Sequence, residues 1–284
     1  MTAAAALVED AAATLAAAGV PAPEWDAERL LRHVLGWDRA ALIANPDSVV
    51  PEPEAERFRA LVRRRASREP LQYILGVQAF WKHEFLVTPA VLIPRPETEL
   101  LVETSLELLK DVERPLVVDV GTGTGCIALS LAFERPDAEV HATDVSEPAL
   151  AVAALNARRL GLESRLAFHH GDLLEPLAHL AGRIDLIVSN PPYVDPGGRE
   201  SLAPEVRDHE PTVALFPPGD PLSVYRRLAS ASASCLCPGG FLVVELGHGQ
   251  AASVEALCRT DGLVPTRLDR DLGGIPRTLT VRRA

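Results

Sequence analysis

The run Leu116-Val117-Val118-Asp119-Val120-Gly121-Thr122-Gly123-Thr124-Gly125 decides how the rest of the chain is read. Its first half is a short apolar stretch of strand character. Its second half is a glycine-rich turn, and a helical pattern follows from Gly125 to about Phe133. A strand, a tight turn and a helix in immediate succession form one unit of an α/β sheet. The pattern continues downstream. Strands are expected at Glu139–Thr143, Arg165–His169, Ile184–Ser189 and Gly240–Leu246, and near Val264–Leu268 and Thr278–Arg282. Helices are expected at Glu147–Leu160, Pro221–Cys235 and His248–Arg259. Such alternation predicts a mostly parallel sheet with helices on both faces, and a ligand site at the carboxyl ends of its strands.

Upstream the period is helical. Leu7, Val8, Ala11, Leu15 and Ala18 share one face, and Gly19 and Pro21 end that segment. Further helices are expected at Pro23–Leu35, Arg39–Ala44 and about Glu54–Ser67, which together make a small bundle. Between Gln72 and Ile93 the period changes to two, with Phe80, Lys82, Glu84 and Leu86 alternating against Trp81, His83, Phe85 and Val87, the pattern of a hairpin. The expected division is a helical domain over 1–75, a β-hairpin linker over 76–93 and the α/β domain over 94–284. Arg57, Arg59, Arg63, Arg64, Arg65 and Arg68 form the basic run of the helical part. It reads either as a solvated helix face or as a contact for an acidic surface.

The charge balance narrows the classes of partner. A formal net charge of −11 over 284 residues opposes a protein that grips nucleic acid by neutralising many phosphates. The four cysteines, Cys126, Cys235, Cys237 and Cys258, include no Cys-x-x-Cys pair, so neither structural zinc nor a disulfide framework is expected. No metal site is expected. The alanine-rich start has no basic leader, and Glu9 and Asp10 interrupt it; no run of about 18 apolar residues follows. The expectation is a cytoplasmic, monomeric protein without a membrane anchor.

Two constellations carry chemistry. The glycine loop, Gly121, Thr122, Gly123, Thr124 and Gly125, permits a sharp turn and close approach of a ligand to the backbone. A dinucleotide fingerprint would place its third Gly or Ala at position 126, where Cys126 stands, so a nicotinamide cofactor is disfavoured. Cys126 itself reads as core. Asp144 ends the next strand about twenty residues on, where a carboxylate can accept hydrogen bonds from both ribose hydroxyls. After the third strand, Asp172 is placed to receive an adenine amino group and Leu173 to cover the ring. A turn aspartate capping a helix is the competing reading.

The second constellation is Asn190-Pro191-Pro192-Tyr193 after the fourth strand. The prolines fix the backbone and remove amide donors. The Asn190 side-chain carbonyl and the Pro191 carbonyl can then accept both protons of a substrate –NH2 group, and the Tyr193 ring can stack on a planar group. A conjugated nitrogen is a poor nucleophile, so two acceptors that orient it and stabilise its growing positive charge fit a group transfer to an amide or a nucleobase amine. The motif alone leaves both substrates open.

Beyond these constellations, the chain resembles the HemK/PrmC family of release-factor glutamine-N5 methyltransferases. The resemblance rests on Glu69-Pro70-Leu71-Gln72-Tyr73-Ile74-Leu75-Gly76, Val91-Leu92-Ile93-Pro94-Arg95-Pro96-Glu97-Thr98-Glu99, the Gly121–Gly125 loop and Asn190–Tyr193. Glu245-Leu246-Gly247 and Asp271-Leu272-Gly273-Gly274-Ile275-Pro276-Arg277 complete it. It implies a Rossmann-like class I methyltransferase domain with a mostly parallel seven-stranded sheet. It also implies S-adenosyl-L-methionine as cofactor and, as substrate, the Gln of the Gly-Gly-Gln motif in class 1 peptide chain release factors, with an effect on translation termination. By the same resemblance Gly121–Gly125 and Asp144 hold the cofactor, and Asn190–Tyr193 hold the glutamine amide. Arg95 and Glu97 line the substrate entrance, and the helical domain docks the release factor.

Overall fold

The computed structural model describes residues 2–284. The chain divides into two compact units. One runs through Val77 and takes in Ala203–His209; the other comprises Gln78–Leu202 and Glu210–Ala284. The hairpin thus belongs almost wholly to the second unit. The return of residues 203–209 to the helical unit is absent from the division expected at 75 and 93.

In the helical unit the short strand β1 (Thr2–Ala3) leads into α1 (Ala4–Ala17), followed by α2 (Pro23–Leu35), α3 (Arg39–Ala44), β2 (Val49–Val50), α4 (Glu52–Ala66) and α5 (Leu71–Leu75). Gly36 ends α2 at φ +65°, and Asp38 caps α3 by accepting the Ala41 amide at 2.7 Å. Leu7, Leu15, Leu30, Leu31 and Phe58 fill the core. The basic run is mostly engaged within this unit. Arg57 pairs with Glu54, Arg59 with Glu52, and Arg64 with Glu69. Arg65 is buried and donates to Asp26 at 2.7 Å and to Glu205 at 2.9 Å, while Arg68 reaches Glu205 at 2.7 Å. These pairings place Arg65 in neither class that the sequence offered.

The second unit opens with the hairpin β3 (Val77–Phe80) and β4 (His83–Leu86), then α6 (Glu99–Leu108), β5 (Leu116–Val120), α7 (Cys126–Glu134), β6 (Glu139–Asp144), α8 (Glu147–Arg159), β7 (Leu166–His170) and β8 (Ile184–Ser189). The short helices α9 (Pro204–His209, within the helical unit) and α10 (Thr212–Leu215) follow, then α11 (Ser223–Cys235), β9 (Leu236–Glu245), α12 (Ala251–Thr260), β10 (Leu263–Arg270) and β11 (Pro276–Arg283). The sheet has seven strands in the order β10-β11-β9-β8-β5-β6-β7. The five from β9 to β7 run parallel, and β10 and β11 close one edge antiparallel. Side chains alternate across it. Val118 and Val120 pack with Tyr225, Leu228 and Val254 on one face; Val117 packs with Leu101, Ile127 and Leu129 on the other. The hairpin is fastened to this second face by Phe80 and Phe85 and by Asn156, whose side chain pairs with both the amide and the carbonyl of Leu86. Among the described residues no helix is long and apolar enough to cross a membrane.

Helices α5, α6, α9 and α10 were not foreseen, α5 falling where the two-residue period was expected to begin at Gln72, and β9 begins four residues earlier than expected. Its early start is possible because the chain bulges: Ile184 pairs with Leu236 but Leu186 with Phe241. At Gly240 any side chain would press on the Ile184 carbonyl at 2.8 Å.

Two outcomes follow from the Arg65 cluster. Arg65→Ala leaves Asp26 short of its partner in a buried site and is expected to lower the stability of the chain by about 3–5 kcal/mol in urea unfolding. Burial alone would raise the Glu205 carboxyl, but donors from Arg68 and Arg65 bring it down to about 2 from 4.5. Because the folded value lies below the unfolded one, Glu205 stabilises fully above about pH 4.5 and loses that contribution as pH falls toward 2. Unfolding midpoints measured downward from about pH 5 should therefore fall less steeply in Glu205→Gln than in the unsubstituted chain.

Candidate active site

The glycine loop springs from the end of β5 and is stitched to β6. The Gly121 and Thr122 amides donate to the Thr143 carbonyl at 2.9 and 3.0 Å. Gly123, at φ +55°, turns its amide onto Asp144 Oδ2 at 2.9 Å, while Asp144 Oδ1 accepts the Ser146 amide at 2.9 Å. Burial pushes the Asp144 carboxyl up, and these amide donors oppose it. Gly125, at φ +80°, begins α7, and a Cβ there would lie 2.9 Å from Leu129 and 3.2 Å from Ala153. That position serves helix packing, and Gly125 does not line the cavity described below.

Beneath the loop Asp119 is fully buried. Its Oδ2 accepts from Thr122 Oγ1 at 2.7 Å and from the Ala128 amide at 3.2 Å, and its Oδ1 has no partner. Desolvation pushes this carboxyl up to about 7. Asp172 and Leu173 stand across the loop. Asp172 forms an exposed ion pair with Arg227 at 2.5 Å, and Leu173 adopts φ +49°, a left-handed conformation rare for a branched side chain.

The second constellation is brought alongside by strand pairing. Val120 and Ser189 are register partners, and Ser189 Oγ donates to the Val120 carbonyl at 2.7 Å. Asn190 directs its Nδ2 to Thr98 Oγ1 at 3.2 Å, and Thr98 in turn donates to Glu245 Oε2 at 2.6 Å. Tyr193 donates to Glu245 Oε1 at 3.1 Å, while its carbonyl accepts from Gln250 at 3.0 Å. Burial raises the Glu245 carboxyl; the Thr98 and Tyr193 donors and the Arg277 charge counter it. Tyr193, half-buried, is anchored on this network and lies outside the cavity lining, in contrast to the free stacking ring foreseen from sequence. Among the described residues no backbone donor reaches the Pro191 carbonyl.

Both constellations open on one cavity of about 290 Å³. Gly121, Thr122, Gly123, Thr124 and Asp144 line one part; Asn190, Pro191 and Pro192 line another, with Asp172 and Leu173 also on the wall. Arg95 lines it too and pairs with the buried Glu210 at 2.6 Å. Glu97 is exposed and outside the lining. Sequence reasoning missed Thr98, Glu245 and Asp119 as members of the site, although all three lie within quoted motifs. Thr98 and Glu245 are 147 positions apart, so no spacing rule links them.

The residues present fit a nucleoside-bearing cofactor. A glycine loop with open space beside Gly121 and Gly123 adjoins a carboxylate at the β6 end and an apolar wall at Leu173.

Comparison with known proteins agrees. The family model for the PrmC N-terminal domain matches residues 6–76, and that for the methyltransferase small domain matches residues 96–206. A release factor glutamine methyltransferase from Deinococcus radiodurans is 44% identical over 280 residues, covering 98% of each chain. One from Geobacter sulfurreducens is 44% identical over 265 residues, covering 93% of this chain and 91% of its own. Among solved structures, the hMettl16 catalytic domain in complex with the MAT2A 3'UTR hairpin 6 shares the fold at a TM-score of 0.56, with 16% identity and 81% of each chain covered. On the strength of its sequence relatives, this chain belongs to the release factor glutamine methyltransferase family.

Proposed function

We propose that this chain transfers the methyl group of S-adenosyl-L-methionine to the side-chain amide nitrogen of the glutamine in the Gly-Gly-Gln motif of class 1 peptide chain release factors. The observation that carries this reading is the single cavity shared by the glycine loop and by Asn190 and Pro191. Its residues can hold a nucleoside and a planar amide side by side.

In this reading Gly121–Thr124 would hold the cofactor, Asp144 would accept from its ribose hydroxyls, Asp172 would receive its adenine amino group and Leu173 would cover the ring. S-adenosylmethionine, when bound, supplies a methyl carbon on a sulfonium centre. The chain's own residues do the rest. Asn190 Oδ1 and the Pro191 carbonyl accept the two N–H bonds of the glutamine amide, fixing the nitrogen lone pair toward the methyl carbon. As the nitrogen–carbon bond forms and the carbon–sulfur bond breaks, positive charge grows on nitrogen, and the same two acceptors stabilise it. One N–H proton becomes acidic only after transfer and leaves to solvent, so no side chain has to act as base beforehand. The half-buried Tyr193 flanks the acceptors and Pro192 keeps the turn rigid. Arg95, held by Glu210, and the exposed Glu97 border the approach of the substrate.

The acidic balance, −11 in net charge, favours a protein substrate over stable nucleic-acid binding. The same reading makes the chain a monomer that meets release factors in the cytoplasm. With Arg57, Arg59, Arg64 and Arg65 paired, Arg63 is the α4 arginine left without an ion pair among the described residues, so α4 offers little free positive charge to a partner. Docking on the helical unit would therefore rest on shape and apolar contact.

Incubation with methyl-labelled S-adenosylmethionine and either release factor or bulk RNA and DNA separates the substrates. Label is expected on the release-factor glutamine, and label on nucleic acid alone would sink the assignment. Asn190→Ala should abolish transfer while leaving cofactor affinity within about tenfold, roughly 1.4 kcal/mol, in equilibrium binding. A collapse of cofactor binding would instead place Asn190 chiefly in the nucleotide site.

A further inference from the structure

Asn190 serves as an acceptor only if its carbonyl, and not its –NH2, faces the substrate. The two ends of a carboxamide are nearly the same size, so shape alone does not choose between them. Hydrogen-bond direction does. The Thr98 hydroxyl carries one proton and lies 2.6 Å from Glu245 Oε2. Tyr193 donates to the same carboxylate and the Arg277 charge favours its ionised form, in which Glu245 has no proton to offer and Thr98 donates its own. Only lone pairs then remain on Thr98 Oγ1 for Asn190, 3.2 Å away, and only the Nδ2 end of Asn190 can use them. Oδ1 is left for the substrate. Tyr193, donating to the other Glu245 oxygen at 3.1 Å, occupies the carboxylate from the opposite side.

We infer that Glu245 is a positioning residue: through Thr98 it fixes the orientation of the Asn190 amide and so keeps the acceptor end toward the glutamine nitrogen. Glu245 is only 2% exposed and does not line the cavity, so it acts through Thr98 and Asn190 and not by contact with substrate. A carboxylate is suited to this place because it accepts on both oxygens. Glutamine has a donor end of its own and would let the Thr98 proton point either way. In the reversed arrangement Asn190 would turn N–H donors against the N–H donors of the substrate, and the clamp would repel what it has to hold.

The inference rests on the function proposed above, and the experiment separates the two. Full-length Glu245→Gln, Thr98→Val, Thr98→Ser and Asn190→Ala are compared with the unsubstituted chain for kcat on release factor and for S-adenosylmethionine Kd. Glu245→Gln and Thr98→Val are expected to lower kcat by about tenfold or more, the effect of losing one oriented hydrogen bond, with cofactor Kd unchanged within about twofold. Thr98→Ser keeps the hydroxyl and should restore kcat to within about twofold of the unsubstituted chain. A merely structural role would move Kd and kcat together and would not separate Ser from Val. If Asn190→Ala is inactive while Thr98→Val retains full kcat, the relay is wrong and the clamp stands. An unsubstituted chain that never methylates release factor overturns the function reading instead. Should Glu245→Gln fail to fold, the contrast between Thr98→Val and Thr98→Ser decides the matter alone.

Discussion

Val120 and Ser189 sit opposite one another in adjacent parallel strands, tied by a hydrogen bond from Ser189 Oγ to the Val120 carbonyl. Everything chemical in this molecule depends on that pairing. Parallel neighbours end at the same edge of the sheet, so the loops that leave them emerge side by side. The glycine loop follows one and Asn190 follows the other, 69 positions away in sequence. A register slip of a single residue would turn every side chain of the strand to the opposite face and separate the two halves of the site. The apolar layers on both faces make such a slip prohibitive, since Val118 and Val117 are each fully buried in different cores.

Around that edge the chain concentrates carboxylates that burial pushes toward neutrality: Asp119, Asp144, Glu210 and Glu245. Each has its own counterweight. Asp144 uses backbone amides, Glu210 uses Arg95, Glu245 uses two hydroxyls, and Asp119 uses Thr122 and the start of α7. Such an arrangement is expensive to fold and suits a cofactor that carries positive charge, because each carboxylate that stays ionised contributes a favourable field in a poorly screened space.

Much of this was legible in the sequence, and the limits have physical causes. The strand-turn-helix units announced themselves by period and by glycine, and Ile184–Ser189 falls where the pattern put it. Helix α6 escaped because it begins directly after the proline-rich Pro94–Glu99 run, which carries turn signals. The sequence offered Asn190 and Pro191 as acceptors and Tyr193 as a stacking ring, and the fold puts Asn190 and Pro191 on the cavity wall while Tyr193 lies outside it. The orientation of Asn190 could not be read, because it is set by Thr98 and Glu245, and only the folded sheet makes these neighbours. The arginine run shows the reverse case. Its charges looked like a surface, yet Arg65 is 5% exposed and bonded to carboxylates from distant segments.

Glu205 lies 140 positions beyond Arg65 and completes the helical unit from far downstream. A ribosome emits residues at about 5–20 per second, so Arg65 waits roughly 7–30 s for that partner during synthesis. In the interval the first five helices can collapse on Leu15, Leu30 and Phe58, but one buried guanidinium has only the Asp26 carboxylate and the Glu69 carbonyl to answer it. Most of the helical unit therefore precedes the sheet in the chain, yet the unit is late to mature. A deletion of the N-terminal residues would not trim an appendage but would strand residues 203–209, in the middle of the catalytic segment, without the surface they fold against.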